Sequence, residues 1–504
     1  MRYNILIGGS AGQGINKVSQ IMSEILTSYG YFTFNYRDYQ SLVRGGHNFN
    51  VLNFSDTETA STDFFVDIIV ALDNHTEILH RGQLKRGGLI LKDETNYTNK
   101  NLNLILCGKI TKIFGISKDI LVQIVKKHFN SKEANEAVLM GYDSEETKFN
   151  LKKLKNKLTI MSGSEAVAIG AKKSNLNFFI SYPMTPATGV LNEIAKIQNE
   201  SLKVFQAENE IAVANMALGT SFAGKLTMIG TSGGGFDLMT EAFSLQGISE
   251  IPLTVYLASR PGPATGVPTY TSQSDLNVAL YAGHGEFARV VCAPGDPIEA
   301  IEKTNELLML SEKYGVLSIL LSDKHLAEGE YSENKIDHKL TPIKISRSIP
   351  GSKIVKASSY EMNINKNSTE DSLITINNVN SRLGKIKNIE LDVSKLVMYK
   401  TYGRKKSKNL IIGWGSTKGA IKDSIRDIDA KFLQIIYLSP FSKEIEQEIK
   451  KASKVVLIEN NATAQLGSLI KQKIGIEIKD KILKYDGRPF FADELNKQIK
   501  KMIK

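Results

Sequence analysis

Two prolines three residues apart, Pro183 and Pro186, follow the apolar run Phe178-Phe-Ile180 and precede a helical pattern that ends near Lys196. Each proline fixes its own φ and pushes the residue before it out of the α region. Thr185 is therefore held on a stiff, bent turn between a strand and a helix. In open α/β sheets ligands bind beyond the carboxyl ends of the strands, which is where such a turn lies.

The alternation of strand and helix extends along most of the chain. From the N-terminus the short apolar strands Asn4-Ile-Leu-Ile7, Tyr31-Phe-Thr-Phe34, Asp67–Leu72 and Gly88-Leu-Ile-Leu91 are separated by ten or more residues, a βαβ pattern that predicts a largely parallel sheet over residues 1–150. A charged stretch, Glu145 to Leu158, reads as a linker. A second α/β domain is expected over 159–330, closing with Val316–Leu321, and a polar, Asn/Ser/Lys-rich extended connection over 331–408. A third α/β unit, 409–504, opens with Asn409-Leu-Ile-Ile-Gly-Trp-Gly-Ser-Thr417 and continues through Lys454–Ile458. At 504 residues about three domains are expected.

No apolar run approaches the roughly 18 residues of a spanning helix, and the first apolar stretch is too short for a signal-peptide core, so no membrane association and a cytoplasmic location are expected. The two cysteines, Cys107 and Cys292, sit in apolar context and read as small buried hydrophobes. Two thiols cannot supply the four thiolates of an iron–sulfur cluster. The net charge of +11 comes from lysines spread over helix faces, without a nucleic-acid reader motif. A solvated surface, with some attraction to acidic partners, is the reading that follows; no nucleic acid is expected.

Four motifs carry chemistry. Gly8-Gly9-Ser10-Ala11-Gly12-Gln13-Gly14 follows a strand and opens a helix, the context of a phosphate-cradling loop, although its spacing is not the dinucleotide fingerprint and no ribose-binding acid follows clearly after Asn35-Tyr-Arg-Asp38. A tight turn alone would explain the glycines equally well. Gln206-Ala-Glu-Asn-Glu210 places two carboxylates at the start of a helix, where complementing the dipole is the plain explanation. Arg260 closes the strand Leu253–Ala258 and enters Pro261-Gly-Pro263; its fork suits a carboxylate ligand as well as a neighbouring acid. Thr231-Ser-Gly-Gly-Gly-Phe236 supplies a further glycine turn.

Taken in order, Tyr182-Pro-Met-Thr-Pro186, Gln206–Glu210, Thr231–Phe236 and Arg260-Pro-Gly-Pro-Ala-Thr-Gly-Val-Pro-Thr269 resemble the 2-oxoacid:ferredoxin oxidoreductase family, in the form of an α subunit with the γ domain fused at its N-terminus. The resemblance implies an α/β fold of three domains with mainly parallel sheets: a Rossmann-like γ domain, a thiamine-diphosphate pyrimidine-binding-type domain and a transketolase C-terminal-like domain. It implies CoA-dependent oxidative decarboxylation of a 2-oxoacid, 2-oxoglutarate first, with ferredoxin as acceptor. Glu208 matches the acid that contacts the aminopyrimidine N1′ of thiamine diphosphate; protonating N1′ favours the imino tautomer, whose nitrogen removes the C2 proton. Arg260 matches the residue that binds the substrate carboxylate, with Thr185 adding a hydroxyl. Gly12, Gly14 and Arg44, the last within Arg44-Gly-Gly-His47, become candidates for holding the phosphates of coenzyme A. Thiamine diphosphate with Mg²⁺ and the [4Fe-4S] cluster are expected on a partner β subunit in a hetero-oligomer such as (αβ)₂, because no Gly-Asp-Gly followed by Asn at diphosphate spacing occurs here.

The sequence departs from the family pattern at Met184, Ser272, Ser274, Met362 (after Ser358-Ser-Tyr-Glu361) and Ala464, within Glu459-Asn-Asn-Ala-Thr-Ala-Gln-Leu466. Those departures leave open pyruvate or branched-chain specificity and a noncatalytic assembly protein of the same fold. A nucleotide-dependent oxidoreductase using the N-terminal glycine loop is a third reading, disfavoured by the absent ribose acid.

Overall fold

The computed structural model describes all residues except 41–44, 93–99, 335–339 and 354. It divides into two compact units, one of 1–161, 329–337 and 490–497, the other of 162–328, 338–489 and 498–504. Among the described residues no helix is long and apolar enough to cross a membrane.

The first unit is built on a seven-stranded sheet. Its strand Arg2–Ser10 is central and pairs in parallel with Val66–Ala71, which pairs in parallel with Leu84–Leu91. On its other side lies His47–Ser55, antiparallel to Arg2–Ser10 and to Phe32–Asp38, so this sheet is mixed where the βαβ pattern predicts a largely parallel one. The reason is chemical. His47–Ser55 carries asparagines that look like a loop, yet Asn50 and Asn53 are buried and paired: Asn50 Nδ2 donates to Ser19 Oγ (2.6 Å) and Asn53 Nδ2 to Asn4 Oδ1 (3.0 Å). The helix Ile15–Ser28 covers the sheet through Val18, Ile21, Met22, Ile25 and Leu26, spaced on one face at helical period. Each such side chain contributes roughly 1.5–3 kcal/mol on burial.

The second unit holds two sheets. One has the spatial order Tyr437–Ser439, Arg289–Cys292, Leu317–Asp323, Leu253–Ser259, Thr227–Thr231, Phe178–Ser181, Lys203–Gln206, all parallel except the first. The chain runs from Phe178–Ser181 to Lys203–Gln206 on one side and then to Thr227–Thr231 on the other, which creates a topological switch point between the loops that follow Ser181 and Thr231. The other is five-stranded, ordered Tyr399–Gly403, Lys431–Ile435, Asn409–Trp414, Lys454–Glu459, Asp480–Leu483, and parallel after its first strand. Their apolar faces join in one core that includes Leu257, Ile319, Ile412, Trp414 and Leu433. The 331–408 segment, expected as an extended connection, contains the helix Ser372–Val393, capped by the Asp371 side chain on Ile374 N (2.9 Å). Only Ile389 and Val393 of this helix are buried, too little to give an apolar stripe.

Candidate functional site

Four of the motif segments emerge at the carboxyl ends of four adjacent strands. In spatial order they are Ala207–Asn209 after Lys203–Gln206, Tyr182–Pro186 after Phe178–Ser181, Ser232–Gly235 after Thr227–Thr231, and Arg260–Pro263 after Leu253–Ser259. The sheet thus gathers, around its switch point, residues far apart in sequence.

Arg260 and Thr185 meet: Arg260 Nη1 donates to the backbone carbonyl of Thr185 at 2.8 Å. The contact fixes one edge of the guanidinium, while its Nε is buried with no hydrogen-bond partner. Burial pulls the Arg260 pKa down, opposed by Asp275. Asp275, whose Oδ2 also lacks a partner, is pushed above the usual carboxylate range by burial. Asp275, which follows the departing residues Ser272 and Ser274 in the sequence, lies against the glycine turn: a Cβ at Gly233 would stand 2.9 Å from its Oδ2.

Glu208 lies one residue before the cap Asn209, whose side chain accepts from Ala212 N (2.9 Å), so it precedes the helix Glu210–Phe222 and does not share its first turn as expected. It is exposed, with no hydrogen bond or ion pair among the described residues. Glu210 points the other way and is buried. Its Oε1 has no partner and presses on the glycine turn, where a Cβ at Gly235 would come within 2.8 Å of Oε1 and 2.2 Å of Thr231 Oγ1. Only glycine fits there. One acid thus braces the turn from within while the other faces outward.

In the first unit, Gly12 and Gly14 adopt left-handed conformations, φ 93° and 86°. Gly14 begins the helix Ile15–Ser28 without a side-chain cap and without an acid in the first turn, and the space above Gly12 is open. Both features suit an anion. Against them, Ser10 Oγ donates to Asp73 Oδ2 at 2.8 Å, which puts a carboxylate at the same strand end. Beside it His47 Nε2 and His80 Nε2 are 2.8 Å apart. Arg44 lies outside the described residues. Cys107 and Cys292 are buried free thiols, raised by burial, Cys107 to about 12.

Among the departures from the family pattern, Ser272 and Ser274 engage partners through their side chains, Ser274 Oγ donating to Asp275 Oδ1 (3.5 Å), while nothing in the structure explains Met184 or Met362. Ser272 Oγ donates to Asn460 O (3.4 Å), the Ser274 carbonyl accepts from Gln465 Nε2 (2.7 Å), and the Met362 carbonyl accepts from Asn378 Nδ2 (3.0 Å).

Comparison with known proteins agrees with this geometry. Residues 169–373 match the family described as pyruvate flavodoxin/ferredoxin oxidoreductase, thiamine diphosphate-binding, and residues 4–101 match the pyruvate ferredoxin/flavodoxin oxidoreductase family, together more than half of the chain. The 2-oxoacid:ferredoxin oxidoreductase subunit alpha of Sulfolobus sp is 29% identical, over all of this chain and 97% of its own length. The 2-oxoglutarate oxidoreductase subunit KorA of Mycobacterium tuberculosis is 31% identical over 64% of this chain and 53% of its own. The solved 2-oxoglutarate:ferredoxin oxidoreductase of Magnetococcus marinus superposes with a TM-score of 0.91 at 24% identity, covering both chains fully. The strand-end motifs define a thiamine-type α/β oxidoreductase subunit. More particularly, the chain belongs to the 2-oxoacid:ferredoxin oxidoreductase family.

Proposed function

We propose that this chain is the α subunit, with a fused γ domain, of a thiamine-diphosphate-dependent 2-oxoacid:ferredoxin oxidoreductase that converts 2-oxoglutarate and coenzyme A to succinyl-CoA. The observation that carries the reading is the convergence of Thr185, Glu208 and Arg260 on one end of one sheet. The Magnetococcus marinus enzyme is described with 2-oxoglutarate, coenzyme A and succinyl-CoA bound, and relatives from several organisms are named for 2-oxoglutarate.

The residues present fit the cofactor's pyrimidine end: an exposed acid at the end of a strand, next to a turn closed by glycines and bearing the unpaired Ser232 Oγ. When bound, thiamine diphosphate supplies the electron sink that decarboxylation of a 2-oxoacid requires. Glu208 would hold the proton at the pyrimidine N1′. Arg260 binds and orients the substrate carboxylate, its remaining N–H groups being open to a charge-assisted bond. Thr185 adds a hydroxyl on the same side. The exposure of Glu208 fits a site completed by another chain, the β subunit, which we assign the diphosphate, Mg²⁺ and the [4Fe-4S] cluster. Gly12, Gly14 and Arg44 are assigned to the phosphates of coenzyme A, and ferredoxin to the role of electron acceptor.

The test is co-expression with the β subunit and assay of 2-oxoglutarate, pyruvate and a branched-chain 2-oxoacid with coenzyme A and ferredoxin. A brown complex with highest kcat/KM for 2-oxoglutarate is expected, while the chain alone carries neither cluster absorbance nor stoichiometric thiamine diphosphate. A complex that oxidises none of the three, or stoichiometric cofactor on the isolated chain, overturns the reading.

A further inference from the structure

The loop that leaves Arg260 is clamped from an unexpected direction. Residues 262–267 are exposed, but from Thr269 onward the segment is buried and tied to the five-stranded sheet of the same unit. Gln273 is the centre of the tie: its N–H donates to Asn460 O (2.8 Å), its Nε2 to Trp414 O (2.8 Å), and its Oε1 accepts from Asn460 N (2.9 Å). Asn461 Nδ2 donates to Gln273 O (3.1 Å). A second tie comes from the turn Tyr485–Pro489. Thr271 N donates to Gly487 O (3.0 Å), Asn460 Nδ2 donates to Arg488 O (3.0 Å), and the Arg488 guanidinium lies over the Tyr270 ring, 3.8 Å from its centroid. The turn reaches back toward Arg260 itself: a Cβ at Gly487 would stand 3.2 Å from Tyr270 Cβ and 3.6 Å from Pro261 Cγ.

We propose that Arg488 is a positioning residue for the substrate-binding Arg260, acting through its stack on Tyr270, so that the last strand-end turn of the chain sets the geometry of the 2-oxoacid carboxylate site. The inference rests on the assignment of Arg260 to that carboxylate. Its physical basis is that, among the described residues, Arg260 has one hydrogen bond, to Thr185, holding its fork. The loop beyond must therefore fix the backbone from which the fork projects; its exposed tip, with Ala264 and Gly266 in left-handed conformations, is closed by Val267 N donating to Pro261 O (3.1 Å), and its buried base ties that closed tip to the second sheet. The stack of a guanidinium on an aromatic face is both flat and charge-assisted, which favours one rotamer of each partner.

The test uses the complex with the β subunit and four variants: Arg488→Ala, Arg488→Lys, Tyr270→Leu and the Arg488→Ala/Tyr270→Leu double. Loss of the stack should raise KM for the 2-oxoacid about three- to tenfold, with kcat changed less than twofold and KM for coenzyme A unmoved. Arg260→Ala sets the ceiling, about 10- to 150-fold. The lysine variant should recover part of the loss, and the double variant should be no worse than either single one. Hydrogen exchange of the peptide spanning residues 258–272 should be faster in Arg488→Ala, with global melting little changed. Unchanged exchange overturns the clamp, and faster exchange with unchanged KM overturns its link to substrate. A wild-type complex that turns over no 2-oxoacid overturns the functional reading instead, and the exchange result still decides the clamp.

Discussion

Two sets of buried polar groups in the second unit behave in opposite ways. Where its two sheets join, two buried acids are fully paired, although Asn460 Oδ1 beside them is not: Glu459 accepts from Trp414 Nε1 (3.1 Å), Asn461 Nδ2 (2.7 Å), Leu466 N (3.0 Å) and Gly467 N (3.1 Å). Glu299, fully buried, accepts from Gly295 N, Gln434 Nε2, Lys418 and Lys400. At the carboxyl ends of the other sheet, Glu210 Oε1, Ser232 Oγ, Arg260 Nε and Asp275 Oδ2 have no partner. An unmade buried hydrogen bond costs about 1–3 kcal/mol. Two acids satisfied this thoroughly, beside four unpaired atoms gathered at neighbouring strand ends, agree with the proposed use of those strand ends as a ligand site.

The comparison is broken most sharply at Glu208, the acid of the open region. In the proposed site Gln keeps the shape of Glu208 and could still hydrogen-bond N1′, but it cannot give a proton there. Glu208→Gln in the assembled complex should slow exchange of the bound cofactor's C2 proton by roughly 10²–10⁴-fold, with cofactor affinity little changed. NMR of that proton measures it. Exchange at the wild-type rate would assign Glu208 to binding alone and leave the open region without its acid.

The paired region should answer in stability, not rate. Glu299→Gln leaves Lys418 buried with fewer opposite charges, a change that costs about 3–5 kcal/mol when a buried pair is broken. The acid dependence has a definite sign. Burial raises the Glu299 pKa, but the ammoniums of Lys418 and Lys400 outweigh it and hold the group at about 2, below its ordinary 4.5. Its contribution is therefore fully present above pH 4.5 and is lost as pH falls toward 2. Thermal melting from pH 6 to 2.5 should show wild type losing stability more steeply than Glu299→Gln below pH 4.5. Parallel curves would show that the cluster is not held by charge.

These regions were unequally legible in the sequence. Pro183, Pro186, the 233–235 glycines and Arg260-Pro261 mark strand ends by backbone chemistry alone, so the site's loops could be read in order before any fold was known. Glu208 was also legible, though its place outside the helix was not, because that place turns on Asn209, three residues after Gln206, whose cap competes with an earlier helix start. Three things gave no local signal. The strand His47–Ser55 hides its burial behind paired asparagines. The helix Ser372–Val393 exposes most of its surface, including Leu373, Ile376 and Leu391, so its apolar residues make no stripe. The stack of Arg488 on Tyr270 joins two turns whose meeting depends on how two sheets pack, which neither segment encodes by itself.

The smallest effect sharpens the comparison from inside the paired region. Ala464 sits just after the Glu459 network at φ 52°, a left-handed conformation, and begins the helix Gln465–Ile474. A left-handed backbone costs an L-residue about 1–2 kcal/mol. Glycine removes that strain, but it gives back roughly 0.5–1 kcal/mol of chain entropy and loses a buried methyl near Gly467. Ala464→Gly should therefore stabilise the protein by about 0.5 kcal/mol, with turnover unchanged, since the residues proposed to bind substrate, Thr185 and Arg260, lie on other turns. Denaturant unfolding of the two forms, followed through Trp414, measures the difference: Trp414 is the sole tryptophan and donates to Glu459. A destabilisation above 1 kcal/mol would mean that packing of the Ala464 methyl outweighs the strain, and that this turn, like the one at Gly235, is governed by contact and not by backbone freedom.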